Sequence, residues 1–592
     1  MSFNHYYQSE LSALREQGRE FARRNPALAP YLASSSSDPD VERLLEGVAF
    51  LTGRLRQKLD DELPELTHSL MHLLWPNCMR PLPSFAMLQF DPLKRPQPEL
   101  LIPAETPVES QPVDGVRCRF RTAGPTRLLP LDIQHIDYQS HSLGARLDLR
   151  LQLTSEGSLH SVKLDSLRLH LSGDEHVSRN LYLFLTQHLQ SIKVQALDAD
   201  GLPLNTAHSA LTLPSEHLQA AGFEAEQALL PYPDNTFSGY RHLQEYFAFA
   251  EKFLFVELKG LEQWQHQAGD NLKAARALTL QFELRHSGCR QISPGREHLR
   301  LHCAPVVNLF AHDATPIRLD GRQDRYLLRP SELAGEHCGI FAVDRVTGWK
   351  PGGMGYRRYA PFESFEHDRQ LGSSEPVPCY SLRQYPSLLG DNPDSYLCFA
   401  PQTQDQQETL SVELTCTNHH LPTRLAQGDI CLPCEGTPEF IQFRNIGRVT
   451  PSYAPPLHED GLWRLISNMA LNYQSLEDIG ALRRVLGSYD LPRHYDQQAA
   501  RVSQQRLDGL TRVSHRQVAR LQQGLPLRGI RTELQLDAEH YNGAGDLYLF
   551  CSVLNEFLAH HACLNTYHEL SVSTLQGDAY QWVPRLGHQP LF

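Results

Sequence analysis

The residues with the strongest claim to chemistry lie in one short run, LTCTNHHLPTRLAQGDICLPC, from Leu414 to Cys434. Cys416 and His419 form a C-x-x-H pair, and Cys431 and Cys434 form a C-x-x-C pair. Zinc prefers four thiolate or imidazole ligands in a tetrahedron, and pairs of this spacing suit the turn that presents them. Cys416, His419 or its neighbour His420, Cys431 and Cys434 could fill such a tetrahedron if the intervening chain folded back as a loop. Four protein ligands would leave no open position for a substrate, so the metal would staple a loop and not catalyse. The competing reading is structural. Cys416 follows TLSVEL, whose apolar residues alternate, so in this reading the cysteine extends a strand.

Other motifs carry less. TGWKPGGMGYRR (347–358) is glycine-rich and holds Lys350. No glycine in it is followed by Lys and Ser or Thr, as a phosphate-cradling loop requires, so it reads as a flexible loop. The chain has no H-E-x-x-H and no G-x-S-x-G, which removes local support for metalloprotease and α/β-hydrolase readings. DADG at 198–201 lacks the remaining ligands of a calcium loop and reads as a hairpin turn. Asp60 and Asp61 sit between apolar stripe positions and read as solvated or interfacial charge.

The elements that must position these residues change character along the chain. Residues 1–80 read as helices. Tyr7, Leu11, Leu14, Gly18 and Phe21 recur at alternating spacings of four and three, one stripe of a helix. NPALAPYLASSSSDP interrupts it as a linker, and Asp38 then suits an N-cap with Pro39 at the first helical position. Val41, Leu44, Val48, Leu51, Leu55 and Leu59 resume the stripe. Pro64 predicts a break or bend, followed by a short helix from Glu65 to Trp75. So narrow a stripe suits partner helices. An intramolecular helical hairpin explains the periodicity equally well.

Residues 81–300 and 301–450 read as two β-rich domains, with period-two leucines at 147–153 and 167–171 and a similar run at 278–284. SIKVQALDADGLPL reads as strand, turn and strand. Helices are expected only near 176–190, 240–250 and 380–390. Residues 451–592 read as an α+β domain. Trp463, Ile466, Ala470 and Tyr473 share one helical face, and Ile479, Leu482, Val485 and Leu486 another. A strand at Arg531–Leu536, an apolar helix and a strand at 566–574 follow. The expected architecture is α+β and multidomain, with long N-terminal helices and antiparallel middle domains before this last one.

Composition bounds the function classes. The 592 residues exceed one hydrophobic core, and 41% hydrophobic with 21% charged residues describes a globular chain. A net charge of -13 argues against a general nucleic-acid binder. The N-terminus has no basic region followed by an apolar one, so no signal peptide is expected. No apolar run reaches membrane-spanning length. The 12 scattered cysteines make no disulfide framework, and a reducing cytoplasm is the default expectation.

Several segments, taken in order, resemble the TssF family, the wedge subunits of the bacterial type VI secretion baseplate. They begin with FNHYYQSELSALREQGREFA and DPDVERLLEGVAFLTGRLRQKLDDELPELT (38–67), followed by LLWPNCMRPLPSFAMLQF. GYRHLQEYFAFAEKFLFVEL (239–258), CAPVVNLF (303–310), VDRVTG (343–348) and LTCTN with LP after it (414–422) come next. LWRLISNMALNYQSL (462–476), GDLYLFCSVLNEFLAHHACLNTY and WVPRLG complete the set. The resemblance covers nearly the whole chain, and the joint occurrence of these motifs is what makes it specific.

The resemblance implies a structural protein without catalysis or cofactor. Two TssF copies would join one TssG in a wedge that carries TssK and TssE, and wedges would surround the VgrG spike. The implied location is cytoplasmic, docked at the inner face of the inner membrane, without nucleic acid and without membrane insertion. The family's helical part joins a three-chain bundle with TssG. The stripe residues Tyr7, Leu11, Leu14, Phe21, Val41, Leu44, Val48, Leu51, Leu55 and Leu59 are the candidate bundle contacts. His419 and His420 stand where the family usually has arginine and another polar residue, and the downstream C-x-x-C is not part of its pattern. The alternatives are a zinc-binding protein or metal-dependent hydrolase centred on 416–434, and a cell-surface β-rich adhesin.

Overall fold

The computed structural model describes residues 7, 8, 10–17, 39–206, 208–232, 239–319, 323–349, 356–363, 378–385, 387, 393–399, 408–438, 440–457, 465, 478–522, 525–562 and 565–587. On the helix that begins at residue 39, the side chains of residues 39, 42 and 55–67 lie outside this description.

Residues 10–17 are helical. A single α-helix of 36 residues then runs Pro39–Leu74. It starts at the proline, whose fixed φ suits a first helical turn. Asp38 lies outside the described residues. The helix does not break at Pro64, nor does a separate helix begin at Glu65. A proline removes one backbone bond, at a cost of about 3 kcal/mol. Here the following turns are held from the other end, where Met71 and Trp75 are buried in the body of the protein.

The period-two leucines form strands as expected. Ala277–Leu284 pairs antiparallel with Leu189–Leu197 on one side and Gly144–Leu153 on the other. Leu147, Leu149 and Leu151 face Leu278, Leu280 and Phe282 in one core, because alternate side chains share a sheet face. Leu131–His141 and Ala210–Pro214 close this five-stranded sheet. Asp198 Oδ1 accepts from the Asp200 and Leu202 N–H groups, and Gly201 takes a φ of 80° in that turn. The second arm expected after it is reduced to one bridge, Leu197 to Pro203, and regular pairing resumes at Ala210. Helices Glu175–Gln187 and Gly239–Ala248 stand where period-3.6 reading places them. The described residues within 380–390 form no helix. Cys379–Tyr385 is a strand paired with Asp394–Phe399, and this pairing overrides the local pattern.

A six-stranded sheet draws on distant parts of the chain, in the order Ile430–Pro433, Pro107–Val113, Val116–Thr122, Cys303–Val307, Phe85–Phe90 and Phe443–Asn445. An eight-stranded sheet contains Glu408–Thr417 beside Gly339–Trp349. In the C-terminal region, Leu525–Leu536 runs parallel to Thr566–Thr574, with helix Ala544–His560 as the crossover. That helix is apolar on nearly all sides because it is enclosed. Tyr548 packs at 5.9 Å from Tyr182 of helix Glu175–Gln187. Asp546 is clamped between Arg179 at 2.7 Å and Arg506 at 3.0 Å. Trp463, Ile466, Ala470 and Tyr473 lie outside the described residues. Among the described residues, no helix is long and apolar enough to cross a membrane.

Candidate interaction surface

The C-x-x-H and C-x-x-C pairs end on different sheets. Cys416 lies near the end of strand Glu408–Thr417, fully buried in the core of the eight-stranded sheet and opposite Phe310 and Ile340. A thiol hydrogen bond with Cys338, reinforced by burial, drives its pKa upward, away from the thiolate that zinc needs. His419 adopts a φ of 51°, and its ring covers Gly339, where a Cβ would meet it at 2.2 Å. Burial and the neighbouring His420 hold its pKa down to about 4. Cys431 sits on strand Ile430–Pro433 of the six-stranded sheet, where Gln111 Nε2 donates to its sulfur at 3.3 Å. Just beyond that strand, the Cys434 N–H donates to Thr437 Oγ1 at 3.3 Å. Among the described residues, no group of three or more His, Cys, Asp or Glu side chains could hold a metal ion. The spacing that suggests zinc arises because two strands of two sheets each carry cysteine.

What this stretch builds is a clasp. The Asn418 N–H donates to Asn308 Oδ1 at 2.7 Å, and Asn308 Nδ2 donates to Asn418 Oδ1 at 2.9 Å. Asn418 Oδ1 also accepts from the Arg119 N–H at 2.9 Å, and Asn308 Nδ2 donates to the Arg119 carbonyl at 2.6 Å. Both asparagines are buried. Asn418 ends a strand of the eight-stranded sheet, and Asn308 and Arg119 belong to strands of the six-stranded one or their ends. The motifs CAPVVNLF and LTCTN therefore meet as the polar joint between two sheets. Two strand-terminal asparagines after apolar runs were the only sequence signal for this joint.

The long helix has a buried root and an exposed shaft. At the root, Trp75 packs 5.8 Å from Tyr240 and 5.1 Å from Tyr489, and those tyrosines stack at 4.4 Å. Asn77 Nδ2 donates to the Pro231 carbonyl at 3.0 Å, and the Arg80 guanidinium donates to Asn77 Oδ1 at 2.8 Å. Burial, with Arg80 nearby, lowers the His72 pKa to about 3, so this imidazole is neutral. Along the shaft the pattern reverses. Leu44 is 69% exposed and Leu51 68%, with Val48 and Phe50 also exposed. Val41, Leu44, Leu45 and Val48 line a shallow apolar hollow of about 230 Å³.

Of the candidate contacts, Val41 is half-buried, and Leu44, Val48 and Leu51 are exposed on one helix stripe. Tyr7, Leu11 and Leu14 are half-buried on the helical segment 10–17 and its approach. Leu55 and Leu59 lie on the helix with side chains outside the described residues, and Phe21 lies outside them altogether.

Exposed apolar stripes on helices are the pattern of coiled-coil seams. Comparison with known proteins identifies the family of the whole chain. The family model described as type VI secretion system, TssF, matches residues 1–589. The chain belongs to the TssF family. Type VI secretion system component TssF1 of Pseudomonas aeruginosa is 29% identical over 644 residues, covering 99% of this chain and 98% of that protein. A chain in the TssK-TssF-TssG baseplate subcomplex determined by cryo-electron microscopy is 32% identical, with a TM-score of 0.76 over 93% of this chain and 99% of that one. A chain of a type VI secretion baseplate complex is 27% identical, with a TM-score of 0.62 and 100% of both chains covered. In this member of the family, then, the motif residues Asn308, Asn418 and Trp75 join sheets and root a helix.

Proposed function

We propose that the protein is a structural wedge component of a type VI secretion baseplate, without catalysis, that assembles through its N-terminal helices. The observation that carries this reading is the exposed stripe Leu44, Val48 and Leu51 on a helix whose other end is locked into the core. Burying one such leucine against a partner contributes about 1.5–3 kcal/mol, so a few of them suffice for a stable bundle. In this reading residues 1–80 enter a three-helix-chain bundle in which two copies share one TssG. Residues 81–300, 301–450 and 451–592 form the body that meets TssK, TssE and the VgrG spike. The likeness to the TssK-TssF-TssG subcomplex supports TssG and TssK as partners. The assembled ring works in the cytoplasm, against the inner face of the inner membrane. Co-expression with TssG and TssK tests the proposal. The expected result is a complex with two copies of this chain per TssG, and a folded chain that binds neither protein would overturn it.

A further inference from the structure

The C-terminal sheet ends on an open edge with a row of like charge. Among the described residues, its terminal strand, Leu510–Gln522, pairs only with Leu525–Leu536, in the order that continues to Thr566–Thr574 and Ala579–Gln581. Helix Ile479–Ser488 covers the start of this strand, where an Arg483 guanidinium N–H donates to the Leu510 carbonyl at 2.6 Å. Past that point, no described element covers the edge. Among the described residues, no backbone hydrogen bond joins Thr511–Ser514 or Arg516–Leu521 to any element but the neighbouring strand.

We propose that this edge accepts an extended, acidic segment of a partner chain, which adds to the sheet as a further strand. Arg512, Arg516 and Arg520 stand at every fourth position and lie opposite Gln535, Arg531 and Leu527. All three therefore point to one face, away from the side that buries Leu534 and Leu536. Arg520 and Arg531 reach the buried Glu569 carboxylate at 2.5 and 2.8 Å, which fixes their direction. Arg512 has no ionic partner among the described residues, and the Arg516 side chain, 3.5 Å from the Glu533 carboxylate, is still 70% exposed. From Thr511 to Arg531 the sequence holds five arginines and no carboxylate, in a chain of net charge -13.

A long bare edge is a template for strand pairing. The arginine row decides which strand it takes. A second copy docked edge to edge would bring one arginine row against another, and like charges across a strand pair destabilise it. A strand with Glu or Asp at every fourth residue of one face places each carboxylate about 5 Å from an arginine across the ladder. Main-chain bonds then supply affinity and the charges supply register.

The test uses the full-length chain and a β-branched peptide of about ten residues with glutamate at every fourth position. A lysine-for-glutamate peptide is the control, and amide hydrogen exchange is the readout. The acidic peptide is expected to protect amides within 511–521, and the lysine peptide to protect none. Arg512→Glu with Arg516→Glu is expected to weaken binding about tenfold with an unchanged unfolding midpoint. Absence of protection at about 1 mM acidic peptide would overturn the proposal, as would equal protection by the lysine peptide. Binding that leaves these amides exchanging, and that a single-stranded oligonucleotide displaces, would show a charged patch and no strand acceptor.

Discussion

Asn418 makes more polar contacts than any cysteine in the run that contains it. Its N–H and both side-chain atoms bond to Asn308, Arg119 and the His337 carbonyl. Removing either asparagine strands buried polar groups, which costs about 1–3 kcal/mol. Asn418→Ala and Asn308→Ala are each expected to lower the unfolding free energy by that amount in urea titration. The double variant should cost less than their sum, since the two share one network. The cysteines should behave differently from one another. Cys416→Ser puts a hydroxyl into an apolar core and should destabilise by about 1–3 kcal/mol. Cys431→Ser, half-exposed on a strand, should stay within about 0.5 kcal/mol. Purified protein should carry zinc well below one ion per chain, and Cys431→Ser should leave that content unchanged. The residue types here were legible in the sequence, and their roles were not. Spacing along a chain says nothing of which sheet each strand joins, and that decided both the cysteines and the asparagines.

At the scale of elements, the long helix depends on its root. Trp75 is buried against Tyr240 and Tyr489, which come from chain segments far apart. Trp75→Ala should cost about 3–5 kcal/mol as a large-to-small core change. It should also release the helix from the body, so limited proteolysis within 39–74 should accelerate before the sheets are cut. Equal cleavage rates in the two proteins would mean that the helix is held elsewhere. Periodicity revealed this element because an apolar repeat over many turns has few explanations. It misplaced the end at Pro64, because a proline's local penalty is visible in sequence and the compensating burial of Met71 and Trp75 is not. The leucine strands were legible for the same reason as the helix. Cys379–Tyr385 was not, since its partner Asp394–Phe399 decides its conformation.

At the scale of the whole molecule, one hydrophobic core runs from Met71 through the leucine sheets to Tyr580, so distant segments stand or fall together. Buried histidines make that core sensitive to acid. Burial holds His170 and His568 at about 3, and His302 and His561 at about 4, against 6.5 in the unfolded chain. Below pH 6.5 the unfolded state binds protons that the folded state refuses. Stability is therefore complete above 6.5 and falls as pH drops toward 4, by about 2 kcal/mol per histidine at pH 5. Buried carboxyls such as Asp490 and Glu556, which burial raises, pull the other way. The urea midpoint is expected to be lower at pH 5 than at pH 7.5, and a flat or reversed dependence would count against these assignments.

The same molecular scale holds the central claim, that the exposed stripe of the long helix joins this chain to TssG. Leu44→Asp with Leu51→Asp alters two exposed side chains, so circular dichroism and the unfolding midpoint should match the parent chain. Titration of each protein with TssG is the direct measurement. Binding by the parent chain and a loss of at least about a hundredfold in the double variant is the expected result. A folded variant that binds TssG as tightly as the parent would contradict the account.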